Sequence, residues 1–245
     1  MPLLARVASG SAAGAVVVSG VALLARATLD LGAGYPIRVG GIFLLTMGAA
    51  MVGLRRHHPF DRFGPANRIT TLRAMLVSLV AGAVGEPGVP GLAWAVVVTA
   101  LAATVLDGAD GPAARRSGMA SAFGARFDME VDALLVLVLA VLVWRFEKAG
   151  PWVMASGLMR YVFVVAGWAL PWMRHALPPA TRRQTVCVIQ MLGLMAALAP
   201  WVSPPLGSGI AAVSLLALAW SFGVDVRWLW YHREGVAAAS STVAG

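Results

Sequence analysis

Charged residues are scarce in this chain of 245 residues: Asp, Glu, Lys and Arg make up 12% of it, whereas hydrophobic residues make up 59%. Soluble domains typically contain about 25% charged residues, so the composition excludes an ordinary soluble fold. The single cysteine, Cys187, excludes an intramolecular disulfide, and its apolar surroundings predict a packing role. The net charge of +8 is typical of basic loops beside anionic lipid, and we expect no nucleic-acid partner.

The hydrophobic residues fall into successive runs of membrane-spanning length. A helix needs about 20 apolar residues to cross a bilayer core. Segments rich in charge, proline or glycine separate the runs, which lie near 8–27, 36–54, 69–85, 91–106, 131–146, 151–171, 184–200 and 206–229. The sequence therefore predicts an all-α fold, a polytopic membrane bundle of about eight helices.

The distribution of arginine orients these helices, because cytoplasmic loops of membrane proteins retain an excess of Lys and Arg. Counting helices puts most of the basic loop residues on one side: Arg55, Arg56, Arg62, Arg68, Arg115, Arg116, Arg126, Arg174, Arg182, Arg183, Arg227 and Arg233. We predict that this side is the cytoplasmic face of the cell membrane and that both termini lie there. The first run has a short basic start at Arg6 and small residues, as in a secretory signal, but we expect it to be retained as a helix.

Four aspartates lie at the edges of two apolar runs. Asp107 and Asp110 are three residues apart, and Asp128 and Asp132 are four apart, so each pair shares one face of a helix. Clustered carboxylates repel one another unless a cation lies among them. Because only oxygen ligands are present, a hard divalent cation such as Mg²⁺ or Mn²⁺ is the expected partner.

Small and basic residues accompany these aspartates. Glycines allow close approach of a ligand to backbone, and arginine offers planar donors to phosphate oxygens. The residues in question are Gly108, Gly111, Arg115, Arg116, Gly118 and Gly124. Carboxylates, a metal, glycines and arginine together predict a site for a phosphoanhydride.

The pattern Asp107-x2-Asp110-Gly111-x2-Ala114-Arg115-x8-Gly124-x3-Asp128-x3-Asp132 resembles, without gap or substitution, the signature of the CDP-alcohol phosphotransferases, or CDP-alcohol phosphatidyltransferases. Upstream, Pro65, Asn67, Thr70 and Arg73 resemble the Pro-Asn-x-x-Thr-x-x-Arg pattern of that family, with one extra residue after the proline. The segment RRQTVCVIQ at 182–190 is similar to a Lys-Thr-x-x-x-Gln element of glycerophosphate-using members, although Arg and Gln precede Thr185.

This resemblance implies a core of six transmembrane helices, often packed as a homodimer. We assign residues 61–234 to that core, 1–60 to two N-terminal helices and a basic interfacial segment, and 235–245 to a disordered cytoplasmic tail.

The resemblance also implies a reaction. A phosphatidyl group passes from CDP-diacylglycerol to the hydroxyl of a small polar alcohol, of the glycerol 3-phosphate, inositol phosphate or serine type, and CMP is released. One or two divalent ions would be bound by Asp107, Asp110, Asp128 and Asp132. Asp132 would also act as the general base. The cytidine nucleotide would contact Asn67, Thr70, Gly111, Ala114, Arg115 and Gly124.

The acceptor is not specified by the sequence. A phosphorylated alcohol needs additional cations, for which Arg73, Arg126, Arg160, Arg182 and Arg183 are candidates. Arg160 lies within an apolar run, where it could line the acceptor site, pair with a carboxylate or extend to the membrane surface. After Asp132 the chain reads Ala-Leu-Leu, without the basic residue found there in several phosphatidylglycerophosphate and inositol-phosphate enzymes.

Three alternatives remain open at this point. The donor could be CDP-choline or CDP-ethanolamine with diacylglycerol as acceptor, since enzymes of that type share the signature. Intramembrane aspartates also occur in divalent-cation transporters, but clustering on one side disfavours this class. A non-catalytic scaffold would be expected to lose an aspartate, and none is lost.

Overall fold

The computed structural model describes residues 3–57 and 59–233, except for the side chains of 55–57 and 109–115. These residues form eight α-helices and no strand: α1 (Leu3–Leu29), α2 (Tyr35–His57), α3 (Pro65–Gly82), α4 (Pro90–Ser117), α5 (Ala122–Arg145), α6 (Ala155–Ala169), α7 (Thr181–Leu198) and α8 (Pro204–Tyr231). The predicted all-α fold is confirmed. The proposed tail at 235–245 lies outside the described residues.

Within the described part of the chain, six helical segments are long and apolar enough to cross a membrane: Leu3–Leu29, Tyr35–Leu54, Pro65–Gly85, Pro90–Gly108, Pro151–Ala169 and Pro204–Tyr231. Their apolar side chains include many that face outward, such as Leu45 at 75% exposure and Val213 at 69%. Lipid is the solvent that such side chains require. The protein is therefore a multi-pass membrane protein, as predicted.

Proline and glycine set the helix boundaries. Pro65 and Pro204 stand in the first turns of α3 and α8, where the missing N–H costs nothing. Gly118 adopts φ +65° in the turn after α4, and Ser121 begins α5 by accepting a hydrogen bond from the Gly124 N–H at 3.1 Å. The apolar run near 91–106 continues as helix to Ser117, so Asp107 lies inside α4 rather than after it.

Helix α5 forms the centre of the bundle. It packs against α3, α6 and α7, and it buries a column of aliphatic side chains that includes Val131, Leu135, Leu139 and Leu142. Short connections make successive helices antiparallel. The starts of α3 and α5 and the end of α4 therefore meet at one end of the bundle.

The N-terminal helices α1 and α2 form a hairpin docked on α3. The Glu86 carboxylate, just beyond α3, pairs with Arg38 of α2 and accepts a hydrogen bond from the Gly32 N–H at 2.9 Å. Arg38 Nε also donates to the Gly82 carbonyl at 3.0 Å, and the Tyr35 hydroxyl donates to the Leu79 carbonyl at 3.0 Å. The hairpin is thus fixed to α3 by polar contacts at the end opposite the aspartates.

We predict that Glu86→Ala lowers the free energy of unfolding by about 1–3 kcal/mol, because it leaves Arg38 and the Gly32 N–H without their acceptor. Water partly solvates Arg38, whose side chain is 36% exposed, and this limits the loss. Thermal unfolding in detergent measures the effect. Asp30→Asn, which removes an exposed carboxylate from the connection between α1 and α2, is the matched control and should leave the unfolding temperature unchanged. Equal stability of the two variants would contradict the docking role of Glu86.

Candidate active site

Three of the four predicted aspartates converge. One carboxylate oxygen from each of Asp107, Asp128 and Asp132 lies within 4.8 Å of the others. Asp128 and Asp132 share one face of α5, and the antiparallel end of α4 brings Asp107 beside them. The three side chains are 30%, 30% and 21% exposed, so the group is half-buried and open on one side.

Four further signature residues lie in α4. Asp110 follows Asp107 by about one helical turn in the same helix. The side chains of Asp110, Gly111, Ala114 and Arg115 lie outside the described part of the chain. Their predicted contacts with metal and nucleotide stay predictions.

Arg73 of α3 lies against these carboxylates. Its side chain is fully buried, and one guanidinium nitrogen pairs with Asp107 at 2.7 Å and also with Asp128, while the other pairs with Asp132. Nε donates to the Ala103 carbonyl at 3.1 Å. The sequence placed Arg73 in the upstream motif and among the candidate acceptor cations; the structure places it on the aspartates.

The donor set fits a divalent cation. The ligand atoms are all carboxylate oxygens, which hard ions such as Mg²⁺ and Mn²⁺ prefer. The single guanidinium of Arg73 leaves the described cluster with an excess of negative charge. Because the carboxylates are half-exposed, an ion can reach them from the open side. A second cation is therefore compatible with the charge and with the chemistry of this site.

Asn67, Thr70 and Gly124 lie next to this cluster. Asn67 and Thr70 are 4% and 2% exposed, and they precede Arg73 on the same face of α3. Gly124 lies one turn before Asp128, and a Cβ atom added to it would come 2.9 Å from Asn67 Oδ1. Gly124 therefore lies against Asn67, and the described nucleotide candidates stand within two helical turns of Arg73 along α3 or of Asp128 along α5.

Besides Arg73, three more of the candidate acceptor cations have carboxylate partners. Arg160 of α6 pairs with Glu130 of α5 at 2.5 Å. Arg182 and Arg183, in the first turn of α7, pair with the buried Asp225 of α8 at 2.5 and 3.2 Å. Pairing with a carboxylate was one of the three alternatives for Arg160. The partners of Arg182 and Arg183 were not foreseen, because nothing in the sequence links them to Asp225.

Sequence reasoning also missed Gln190. This side chain is 1% exposed in α7, and neither its amide nitrogen nor its amide oxygen has a hydrogen-bond partner within the described residues. A glutamine within an apolar run, at the end of the RRQTVCVIQ segment, was the available signal. Cys187, earlier in the same segment, packs against the hydrophobic core as expected.

A family model described as CDP-alcohol phosphatidyltransferase matches residues 64–224. No curated protein and no solved structure matches the chain. The family match covers more than half of the chain, so the protein belongs to the CDP-alcohol phosphatidyltransferase family, and the resemblance found in the signature is confirmed. Helices α1 and α2 precede the matched region.

The position of Arg73 predicts a metal-dependent stability. Arg73→Met leaves three carboxylates without their guanidinium, and we expect the free energy of unfolding to fall by about 3–5 kcal/mol in chelator. Added Mg²⁺ or Mn²⁺ should restore part of the lost free energy of unfolding, because a bound cation offsets the same repulsion. The metal should therefore raise the unfolding temperature of Arg73→Met by more than it raises that of the wild type. Thermal unfolding with and without metal measures both effects.

Arg182→Met is the matched control for this experiment. It removes an arginine from one carboxylate, Asp225, which retains Arg183. Arg182→Met should lower the free energy of unfolding, and added Mg²⁺ or Mn²⁺ should not restore the loss. An absence of metal restoration in Arg73→Met would contradict the assignment of the aspartates as a cation site.

Proposed function

We propose that this family member transfers a phosphatidyl group from CDP-diacylglycerol to the hydroxyl of a small polar alcohol and releases CMP. The observation that carries the proposal is the convergence of Asp107, Asp128 and Asp132 beside Asn67 and Gly124. A donor with acyl chains in the bilayer and a nucleotide in water needs such a site near the membrane surface. We propose that this surface is the cytoplasmic one and that the protein acts as a homodimer.

The carboxylates of Asp107, Asp110, Asp128 and Asp132 would hold one or two divalent ions, Mg²⁺ or Mn²⁺. When bound, such ions neutralise the pyrophosphate and stabilise the departing CMP. The contribution of the protein is to present oxygen ligands at fixed positions. Arg73 supports this by holding Asp107, Asp128 and Asp132 through its guanidinium, which limits their mutual repulsion before any ion binds.

The nucleotide would lie along the patch formed by Asn67, Thr70 and Gly124. The missing side chain at Gly124 lets the buried Asn67 amide approach the backbone of α5 closely, because a Cβ atom at this position would come 2.9 Å from Asn67 Oδ1. Gly111, Ala114 and Arg115 of α4 would complete the binding site from the other side, with the guanidinium of Arg115 suited to a phosphate oxygen.

Asp132 is the proposed general base. It takes the proton of the acceptor hydroxyl as the oxygen forms its bond to phosphorus, and the bond from phosphorus to the CMP oxygen breaks. Asp132 lies one turn deeper along α5 than Asp128 and is the least exposed of the three carboxylates. Contact with Arg73 orients the carboxylate.

The proposal is tested by metal-dependent CMP release from CDP-diacylglycerol, with glycerol 3-phosphate, inositol phosphate and serine supplied separately. Asp132→Asn should lower turnover by at least about 10²-fold, as expected for loss of a general base, while binding of the CDP donor is largely retained. Asp61→Asn, at an exposed position, is the control and should retain activity. Undiminished turnover in Asp132→Asn would remove this residue as the base.

The same assay separates the alternative functions. Release of CMP from CDP-choline or CDP-ethanolamine with diacylglycerol, and none from CDP-diacylglycerol, would reverse donor and acceptor. A cation transporter would release no CMP from either donor.

Gly124→Ala tests the nucleotide patch. The added methyl would lie 2.9 Å from Asn67 Oδ1, so it would displace the Asn67 amide from its place between α3 and α5. We expect KM for the CDP donor to rise several-fold with a smaller change in KM for the acceptor. The control is Gly209→Ala, since a Cβ atom at Gly209 in α8 meets no atom within 4 Å. An unchanged donor KM in Gly124→Ala would place the nucleotide elsewhere.

A further inference from the structure

A cavity of about 690 Å³ lies between α1, the end of α2 and the start of α3. Ligand pockets usually occupy roughly 300 to 1,000 Å³, so its size is that of a small-molecule site. The residues that line it are Leu3, Arg6, Val7, Gly10, Ser11, Met47, Arg62, Phe63, Arg68 and Thr71. Most of them precede the family-matched region at 64–224, so the cavity depends on the N-terminal hairpin.

The charged lining of the cavity is entirely basic. Arg6 comes from α1, Arg62 from the connection before α3, and Arg68 from the first turn of α3, and no Asp or Glu is among the described residues that line the cavity. Arg6 donates one hydrogen bond to the Asp61 carbonyl at 2.6 Å, which fixes its direction. A guanidinium carries five N–H donors, so Arg6 retains others for a ligand. Three arginines from three segments form a site for a phosphate group, whose oxygens match planar guanidinium donors.

The remaining lining is largely apolar. Val7 and Met47 are almost fully buried at 6% and 1% exposure, and Leu3 and Phe63 pack against the core beside them. A free phosphate ion would be poorly matched to these walls, whereas a phosphate ester with an apolar body would satisfy both parts of the cavity. In a membrane, that description fits a phospholipid with a net negative headgroup.

The cavity and the aspartate cluster lie on neighbouring faces of one helix. Arg68 and Thr71 of α3 line the cavity, whereas Arg73 of the same helix contacts the carboxylates. Phe63 also connects the two, because its ring packs against the ring of Phe123 in the first turn of α5 at a centroid distance of 6.2 Å. A ligand in the cavity would therefore contact the segment that begins α3 without contacting the aspartates.

We propose that this cavity binds an anionic phospholipid. The phosphate group would be held by Arg6, Arg62 and Arg68. The part of an acyl chain nearest the glycerol would lie against Val7 and Met47. The site is separate from the proposed catalytic site, so its existence does not depend on the proposed reaction.

Native mass spectrometry of the delipidated full-length protein in detergent tests this proposal. Dioleoyl phosphatidylglycerol is the probe, and we expect one tightly bound equivalent. The double variant Arg6→Gln, Arg62→Gln should weaken that binding by about tenfold or more, since each arginine lost removes charge-assisted hydrogen bonds. The matched control is Arg227→Gln, Arg233→Gln, which removes the same charge from the end of α8, where these arginines stack on Tyr231 and Trp230.

A second variant closes the cavity and keeps its charge. A Cβ atom at Gly10 meets no atom within 4 Å, and Gly10 lines the cavity, so Gly10→Leu adds an apolar side chain at the cavity wall from an unobstructed Cβ position. It should also lose the tightly bound lipid, with an unfolding temperature equal to or above that of the wild type. Retention of the lipid by both the double variant and Gly10→Leu would overturn the proposal.

Two further ligands separate the sources of the phosphate. Dioleoyl phosphatidylcholine tests whether net charge is required, and glycerol 3-phosphate tests whether the apolar body is required. Selective retention of phosphatidylglycerol supports the proposal. Equal retention of phosphatidylcholine, or binding of glycerol 3-phosphate alone at the cavity, would overturn the assignment to an anionic lipid.

Discussion

Three carboxylates held together inside a membrane-spanning bundle repel one another, and the structure depends on how that repulsion is offset. Arg73 supplies the compensating charge from α3 while the carboxylates come from α4 and α5. A buried guanidinium with fewer partners would itself be costly, so the four groups are stable only as a set. Their pairing fixes the register of three helices at one end of the bundle, and Asn67, Thr70 and Gly124 come together as a consequence.

Two groups of arginine–aspartate contacts lie at the end of the bundle where α5 and α7 begin, and they differ in the balance of their charges. Among the described contacts, Arg73 pairs with three aspartates at the candidate active site, whereas Arg182 and Arg183 both pair with the buried Asp225 between α7 and α8. The second arrangement has more guanidinium groups than carboxylates, so it connects helices and does not attract a metal. The first has more carboxylates than guanidinium groups among these contacts, and its carboxylates are partly exposed. That difference, rather than the presence of acidic residues, identifies which cluster suits a cation and a pyrophosphate.

Much of this arrangement is readable from the sequence. Runs of apolar residues predicted eight helices close to those found, and the spacing of Asp128 and Asp132 predicted a shared face. The extension of α4 to Ser117 was missed because polar residues such as Asp107 interrupt the apolar run without breaking the helix. The partners of Arg73, Arg160 and Arg182 could not be predicted, since periodicity specifies a face of a helix but not the residue it meets across a distance of 30 or more positions. Tertiary packing alone decides those pairs.

The N-terminal hairpin illustrates how an added element becomes part of a core. Its loop end is held by Glu86, which receives hydrogen bonds from both Arg38 and Gly32, while its other end surrounds the start of α3 and forms the arginine-lined cavity. A hairpin fixed at one end only could not keep such a cavity open, because helices of this length tilt and slide against their neighbours. Two features hold α1 at a constant distance from α3. They are the hydrogen bonds accepted by Glu86 and the packing of Phe43 and Met75 around Gly14. The added helices are thus placed to present Arg6 beside the helix that carries Arg73, so the surface next to the site is built by residues outside the family core.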